Sequence, residues 1–243
     1  MKGTFLYEEL NGRQLDIYLP PHSNTLMPAV IVQDGSSLFH QHILSLEEMI
    51  EGRSIMPVVL IGIHPINRLD EYTPWEAPSL HSSFPAFKGE ADTYLAFLTD
   101  QLMPYLVQYY PIEPDDRQHA LIGASLGGLV SMYALWKKQF FFQHIGSLSG
   151  SFWYPHFMPY VRQHHPKALP QRIYLSVGSE EGKEKSSAQQ HMVPFTEELH
   201  HILHGYGMPK HQLRLHIEYR EGHHISQFQR NFVSALKWFY GAK

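Results

Sequence analysis

The sequence Gly123-Ala124-Ser125-Leu126-Gly127-Gly128, near the middle of the chain, places a serine among glycines. A mostly apolar run precedes it at residues 119–122, and a helical pattern of apolar residues follows at 129–136. This order predicts a strand, a tight turn and a helix, with Ser125 at the corner. A G-x-S-x-G pattern in that context predicts a nucleophile elbow, in which a strained turn exposes the serine hydroxyl above the end of a sheet.

The residue types around Ser125 suit that chemistry. Gly123, Gly127 and Gly128 leave room in a crowded turn because they carry no side chain. The helix that begins there points its free N–H groups and the positive end of its dipole at the site, which favours a developing oxyanion. The alternative is a glycine-rich turn that only packs a helix on a strand, but the flanking strand and helix favour the catalytic interpretation.

The composition is that of a globular chain. Its 243 residues, 43% apolar and 17% charged, are enough for a large buried core. A net charge of −4 gives no support to nucleic-acid binding. The absence of cysteine excludes disulfides and a thiol nucleophile, and is compatible with a reducing compartment. Residues 1–10 lack the apolar core of a signal peptide, and no apolar run is long enough to span a membrane, so we expect a soluble, cytoplasmic protein.

Strands and helices alternate along the chain. Two extended runs around Asn11-Gly12 predict a hairpin at 3–10 and 13–19. Short apolar runs predict the later strands at 28–33, 57–63, 142–148, 172–177 and 213–219, and helical spacing predicts helices at 41–51, 89–109, 188–204 and 225–240. We expect Pro104 to kink the second of these helices. The pattern predicts one α/β domain over 1–243, with a mostly parallel sheet, helices on both faces and the hairpin as an antiparallel edge.

The longest irregular segment, residues 64–88, is expected to roof the site. Loops of this length are commonly functional or disordered. The aromatic residues Tyr72, Trp75, Phe84 and Phe87 argue against disorder because they can pack together.

Ser125 needs a base, and the base needs an orienting acid. Both are expected at the carboxyl ends of later strands, in the order serine, acid, histidine. The acid candidates follow the strand at 172–177: Glu180, Glu181 and Glu184. The base candidates follow the strand at 213–219: His223 and His224. His223 is favoured because it directly follows Gly222, where the backbone can turn sharply.

An oxyanion hole needs two backbone N–H groups. One is expected from Leu126, the residue after the serine. The other is expected from the loop after the strand at 28–33, where Ser36 or Ser37 would donate. An ordinary turn at Asp34-Gly35 is the alternative interpretation.

Histidine is frequent, with eighteen residues, but no metal site is predicted. His200 and His204 have helical i, i+4 spacing without the surrounding H-E-x-x-H pattern. His40 and His42, and the pairs His164-His165 and His200-His201, are interpreted as solvated surface residues.

Together these segments resemble the putative esterase family of α/β-hydrolases, which includes enterochelin esterases and S-formylglutathione hydrolase. The resemblance runs from residue 30 to the end and is carried by Val32-Gln33-Asp34-Gly35, the loop at 67–75, the elbow, and Gly222-His223. Glu221 stands where the family pattern has a first glycine. Residues 177–181 resemble the Gly-x-x-Glu segment of siderophore esterases, which implies that Glu181 is the acid.

The resemblance implies hydrolysis of a small-molecule ester by a Ser-His-Glu triad without a cofactor. A siderophore trilactone is the first substrate candidate. A general carboxylesterase or a thioesterase acting on small acyl groups is the alternative, and an inactive binding module on the same fold is the second alternative. Fold analogy alone does not fix the substrate.

Four side chains are expected to contact the substrate: Arg68, Tyr72, Trp75 and Trp153. The Arg68 guanidinium suits an anionic or catecholate group, or else it pairs with Asp70 or Glu71 in its own loop. Tyr72 and Trp75 either line an aryl-binding surface or form the loop's own small core.

Overall fold

The computed structural model describes residues 1–21, 25–80, 85–115, 118–137 and 141–242. Within these ranges an eight-stranded sheet forms the centre of the molecule. Its strands are β1 (Thr4–Leu10), β2 (Arg13–Leu19), β3 (Ala29–Gln33), β4 (Val59–Ile63), β5 (Ala120–Ala124), β6 (His144–Leu148), β7 (Arg172–Gly178) and β8 (Leu213–Glu218). They lie in the order β1-β2-β4-β3-β5-β6-β7-β8.

Eight α-helices surround this sheet in the described ranges. They are α1 (Ile43–Glu51), α2 (Arg68–Glu71), α3 (Ala91–Phe97), α4 (Met103–Tyr109), α5 (Leu126–Tyr133), α6 (Phe157–Gln163), α7 (Met192–Gly205) and α8 (Ile225–Tyr240). Short 3₁₀ turns adjoin α1, α5 and α7. The sequence did not predict α2 or α6, because both are short and lie in segments rich in aromatic residues and proline.

The N-terminal hairpin is confirmed at the sheet edge. β1 and β2 pair antiparallel, with Leu10 opposite Arg13. Asn11 and Gly12 both have positive φ, 53° and 78°, as the two central residues of a type I′ turn require. β2 also pairs antiparallel with β4. The other six strands, β4, β3, β5, β6, β7 and β8 in their order across the sheet, run parallel to one another. The predicted, mostly parallel sheet with an antiparallel edge is therefore correct.

Both faces of the sheet are covered, as the unbroken apolar strands predict. On one face Val30 and Val32 pack in a core with Ile43 of α1 and Phe232 of α8. On the other, Ile31 belongs to a second core built with α3 to α7. Every residue of the central strands β3 to β6 is buried.

The long helix predicted at 89–109 is interrupted. A π-helical turn at Leu98–Leu102 separates α3 from α4, and the Met103 N–H bonds back to the Leu98 carbonyl. The interruption directly precedes Pro104, which has no N–H to continue the regular bonding and whose ring crowds the preceding turn. The helix expected over 89–109 is thus divided just before Pro104, and the kink expected at Pro104 itself stays a prediction.

The loop expected at 64–88 is partly described. Residues 81–84, which include Phe84, lie outside the described residues. The remainder contains α2 and an antiparallel bridge between Ala77 and Phe87. No helix of the described residues is long and apolar enough to cross a membrane.

Candidate active site

Ser125 occupies the turn between β5 and α5 in a strained conformation, with φ 56° and ψ −120°. The Ser125 N–H donates to the Leu148 carbonyl at the end of β6, at 3.0 Å. A Cβ atom at position 123 would lie 2.3 Å from the Gly127 carbonyl oxygen, so the turn closes only with glycine there. The chain therefore folds into the predicted strand, turn and helix, with the serine at the corner.

A continuous set of hydrogen bonds runs from this serine into the protein. Ser125 Oγ lies 3.1 Å from His223 Nε2, and His223 Nδ1 lies 2.7 Å from Glu181 Oε2. The Glu181 side chain is fully buried, whereas the His223 side chain is 40% exposed. A carboxylate can only accept, so it fixes the proton of neutral His223 on Nδ1 and leaves the Nε2 lone pair facing the serine hydroxyl.

Glu181 is itself held by two donors at its other oxygen. The Gly178 N–H donates to Oε1 at 2.7 Å, and the Ser149 hydroxyl donates to the same atom at 2.5 Å. A Cβ atom at position 178 would lie 2.3 Å from the Glu221 carbonyl oxygen, so the loops after β7 and β8 touch here. This contact brings the acid and the histidine together.

The other acid and base candidates are directed elsewhere. Glu180 is exposed and forms an ion pair with Lys183 at 2.8 Å. Glu184 is exposed as well. His224 is the exposed residue that precedes α8, and no described residue bonds its side chain. Of the alternatives left open by the sequence, His223 is the histidine that contacts Ser125, and Glu181 is the acid that contacts His223.

Two buried serines at this edge were missed by the sequence interpretation, Ser149 and Ser151. Ser151 Oγ lies 3.2 Å from Ser125 Oγ, and the Ser151 N–H donates to the Ser125 carbonyl at 3.0 Å. Both follow β6, the strand next to β5. The rule that sites collect at the carboxyl ends of strands would have pointed to them, had the strand order been known.

The loop after β3 distinguishes the two oxyanion candidates. The Ser36 N–H donates to Asp16 Oδ2 at 2.8 Å, so the structure contradicts Ser36 as a free donor. Ser37 is exposed, and none of the described residues accepts from its N–H. Leu126 is the first residue of α5, where backbone N–H groups have no partner within the helix.

Asp16 holds this loop through a second contact. Its Oδ2 also lies 3.0 Å from His64 Nε2. Burial raises the pKa of Asp16, but the hydrogen bonds from Ser36 and His64 outweigh burial and bring that pKa below its ordinary value. The β3 loop is therefore tied to β2 by a carboxylate that stays ionised.

Arg68 pairs with a residue that the sequence did not suggest. Its Nε and Nη2 atoms donate to the two carboxylate oxygens of Asp34, at 2.7 and 2.9 Å. The alternative that Arg68 pairs with Asp70 or Glu71 is wrong, because Glu71 bonds Arg13 and Asp70 bonds Lys88. The Arg68 side chain keeps 38% of its surface exposed beside the loop after β3.

Tyr72 does not line a surface. It is completely buried, and its hydroxyl accepts from the Asp34 N–H at 3.1 Å. Burial raises the pKa of the phenol. Its ring packs against Tyr94, whose hydroxyl bonds Gln33. The expectation of an aryl-binding role for Tyr72 is therefore wrong, since the residue supports the β3 loop from below.

The two tryptophans are also largely packed. Trp75 is half-buried, and its indole N–H donates to the Pro155 carbonyl at 2.8 Å. Its outer side borders an open groove of about 400 Å³, lined with His156, Pro159, Tyr160, Gln163 and His164. Trp153 is 6% exposed and packs against Val177 and Met192. Trp75 thus joins the loop's small core, and Trp153 stands behind the end of β7.

Among the described residues, no group of three or more His, Asp or Glu side chains is arranged to hold a metal ion.

The sequence of this chain matches a known protein family and a bacterial relative. The family model described as Putative esterase matches residues 10–239. A Bacillus subtilis (strain 168) protein, "Uncharacterized protein YbbA", is 42% identical over 244 residues, which cover 99% of this chain and 98% of that protein.

Solved structures of similar shape are more distant in sequence. An IroE-like serine hydrolase from Shewanella oneidensis superposes with a TM-score of 0.78 at 21% identity, over 97% of this chain and 79% of that chain. The siderophore hydrolase EstA from Aspergillus nidulans gives 0.72 at 22% identity, over 96% and 93%. At this identity the likeness establishes the fold alone, and it confirms the α/β-hydrolase-like class expected from the sequence.

Proposed function

The chain belongs to the Putative esterase family and is a carboxylic ester hydrolase, and we propose that Ser125, His223 and Glu181 carry out its chemistry. The observation that carries the proposal is the unbroken hydrogen-bond path from the hydroxyl of the half-buried Ser125 through His223 to the buried Glu181 carboxylate. A serine hydroxyl is a weak nucleophile on its own, and this path supplies both a base and the group that orients it.

The reaction we propose is acyl transfer to water. Ser125 Oγ attacks the ester carbonyl while His223 Nε2 takes the hydroxyl proton. Glu181 stabilises the imidazolium that forms, because its carboxylate accepts a hydrogen bond from the Nδ1–H at 2.7 Å. His223 then protonates the leaving alcohol, and an acyl group remains on Ser125. Water repeats the sequence, which releases the acid and restores the serine.

The oxyanion formed in each half-reaction is proposed to accept hydrogen bonds from the backbone N–H groups of Leu126 and Ser37. The engagement of the Ser36 N–H by Asp16 supports Ser37 as the second donor. The positive end of α5, which begins at Leu126, adds a favourable electrostatic contribution.

We propose that the loop at 64–88 roofs this site as part of a single domain. Its described residues are anchored on the catalytic side of the sheet by Tyr72, which bonds the Asp34 N–H, and by Trp75, which bonds the Pro155 carbonyl. The Tyr154 hydroxyl adds a bond to the Trp75 carbonyl at 2.5 Å. These contacts favour a cover that is fixed to the walls of the site.

The proposed substrate is a siderophore ester, with a trilactone as the first candidate. Support comes from the structural likeness to a siderophore hydrolase. A small neutral acyl ester or thioester is the second candidate, because Asp34 already neutralises the Arg68 charge that an anionic catecholate would need.

Two experiments test these proposals. Hydrolysis of p-nitrophenyl acetate is expected to fall at least about 10³-fold in Ser125→Ala and His223→Ala, and less in Glu181→Gln. Full activity of folded Ser125→Ala would contradict the proposed chemistry. Chromatography of ferric and metal-free trilactones after incubation tests the substrate. If neither trilactone is opened while p-nitrophenyl acetate is cleaved, the siderophore proposal is wrong and the small-ester candidate is supported.

A further inference from the structure

We propose that Ser149 is a positioning residue for Glu181, and that Gln227 in turn holds the Ser149 hydroxyl; this inference rests on the proposed function. Ser149 Oγ lies 2.5 Å from Glu181 Oε1. Ser149 and Gln227 are completely buried, as is the Glu181 side chain. A hydroxyl that donates to an ionised carboxylate at this distance forms a charge-assisted bond, roughly twice as strong as a bond between neutral groups.

The backbone of Ser149 is held in an unusual conformation. Its φ is 51°, in the left-handed region that residues other than glycine seldom adopt. The Ser149 N–H donates to the Ser176 carbonyl of β7 at 2.8 Å. Such conformations persist where the surroundings over-determine them, and they concentrate at functional sites. The turn after β6 is thus fixed to the same strand that leads to Glu181.

The Ser149 hydroxyl can donate only one hydrogen bond, which determines the direction of its contacts. Its hydroxyl has one hydrogen, which goes to Glu181 because an ionised carboxylate has none to give. The Gln227 side-chain amide lies 3.3 Å from Ser149 Oγ with its oxygen towards it, while its Nε2 has no partner among the described residues. The exchanged amide orientation makes Nε2 the donor to Ser149 Oγ. We assign that orientation, which gives the path Gln227, Ser149, Glu181, His223, Ser125.

The two carboxylate oxygens of Glu181 have different partners in this path. Ser149 and the Gly178 N–H hold Oε1, so Oε2 stays directed at His223 Nδ1. The Ser149 bond is strongest when the Glu181 charge is not neutralised by an imidazolium. Removing the hydroxyl therefore destabilises the arrangement with neutral His223 more than the arrangement with its imidazolium.

Ser149→Ala is the direct test. We expect kcat for p-nitrophenyl acetate to fall about 10- to 100-fold, as for loss of other buried groups that orient a catalytic side chain, with KM nearly unchanged. The acid limb of the kcat/KM profile should move to higher pH, which a purely structural role would not cause. Gln227→Met should give a shift in the same direction and of smaller size.

Ser176→Ala is the matched control. Ser176 lies on the adjacent strand β7, is completely buried, and its hydroxyl has no partner among the described residues. Its kcat and pH profile should equal those of the wild type. Ser149→Cys keeps a weak donor at nearly the same size and should lie between wild type and Ser149→Ala. It also replaces Ser149→Ala if circular dichroism reveals that the alanine variant does not fold.

The outcomes separate this inference from the proposed function. If Ser149→Ala and Ser149→Cys keep the wild-type kcat and acid limb while Ser125→Ala is inactive, the positioning role is overturned and the proposed chemistry stands. If Ser125→Ala retains activity, the proposed chemistry itself is wrong, whatever the result for Ser149→Ala. If the acid limb of the kcat/KM profile moves in Ser149→Ala but not in Gln227→Met, the role assigned to Gln227 is overturned.

Discussion

The carboxylate of Asp34 accepts hydrogen bonds from the guanidinium of Arg68 at both of its oxygens, at 2.7 and 2.9 Å. Asp34 also adjoins the elbow, since a Cβ atom at position 127 would lie 3.4 Å from its Oδ2. The ion pair therefore joins α2 to the loop after β3, beside the start of α5. Bidentate pairs of this kind fix geometry as well as charge.

The first prediction concerns that pair. Arg68→Met leaves Asp34 without its partner beside the elbow, so kcat/KM should fall about tenfold for neutral and anionic aryl esters alike. The measurement is the ratio of kcat/KM for p-nitrophenyl acetate and for an aryl ester that carries a carboxylate.

Arg162→Met is the control for Arg68→Met, because Arg162 forms a similar bidentate pair with Glu198 on the surface of α6. Its activity should match the wild type. A loss in Arg68→Met confined to the anionic ester would mean that Arg68 binds substrate directly, against this interpretation.

The second prediction concerns the elbow turn. Gly123→Ala places a methyl group 2.3 Å from the Gly127 carbonyl oxygen, a backbone atom that cannot move without opening the turn. We expect a loss of about 3 kcal/mol in the free energy of unfolding. Gly205→Ala, at the end of α7, meets no atom within 4 Å and should be neutral or stabilising by up to about 1 kcal/mol. Urea unfolding of both variants measures the difference, and equal stabilities would contradict the account of the turn.

The third prediction concerns His144, a buried histidine that no proposed chemistry uses. Burial, reinforced by the Arg172 charge, lowers its pKa from 6.5 to about 4. The unfolded chain therefore takes up this proton at a higher pH than the folded protein. Stability should decrease as pH falls from about 6.5 to about 4, with a contribution of about 3 kcal/mol from this residue.

His144→Phe tests that contribution. The imidazole stacks on Phe239 at 5.1 Å, so a phenyl ring preserves the packing and removes the titration. Thermal unfolding should depend less steeply on pH between about 6.5 and 4 in the variant than in the wild type. Identical slopes would show that His144 is not the group responsible.

The sequence predicted the features that depend on neighbouring residues. Asn11-Gly12 fixes a hairpin turn, and the glycines around Ser125 permit the elbow, because both conformations are decided within a few residues. The family resemblance added Glu181, which the residues alone could not separate from Glu180.

The remaining features depend on contacts between distant segments. Ser151 meets Ser125 only because β6 lies beside β5, and nothing in the sequence gives that order. Arg68 pairs with Asp34 rather than with a nearer acid because two loops converge at one sheet edge. Tyr72 lies in a loop whose aromatic residues suggested a substrate-binding surface. Its ring is instead completely buried beneath the loop after β3.

Ser125 is the proposed nucleophile, and labelling with a fluorophosphonate followed by mass-spectrometric mapping identifies the nucleophile itself. We predict one labelled serine, at position 125, with labelling abolished in Ser125→Ala and strongly slowed in His223→Ala. The neighbouring Ser151, whose hydroxyl lies 3.2 Å away, should stay unmodified. An unlabelled Ser125 in the folded protein, or a label carried by Ser151, would contradict Ser125 as the nucleophile.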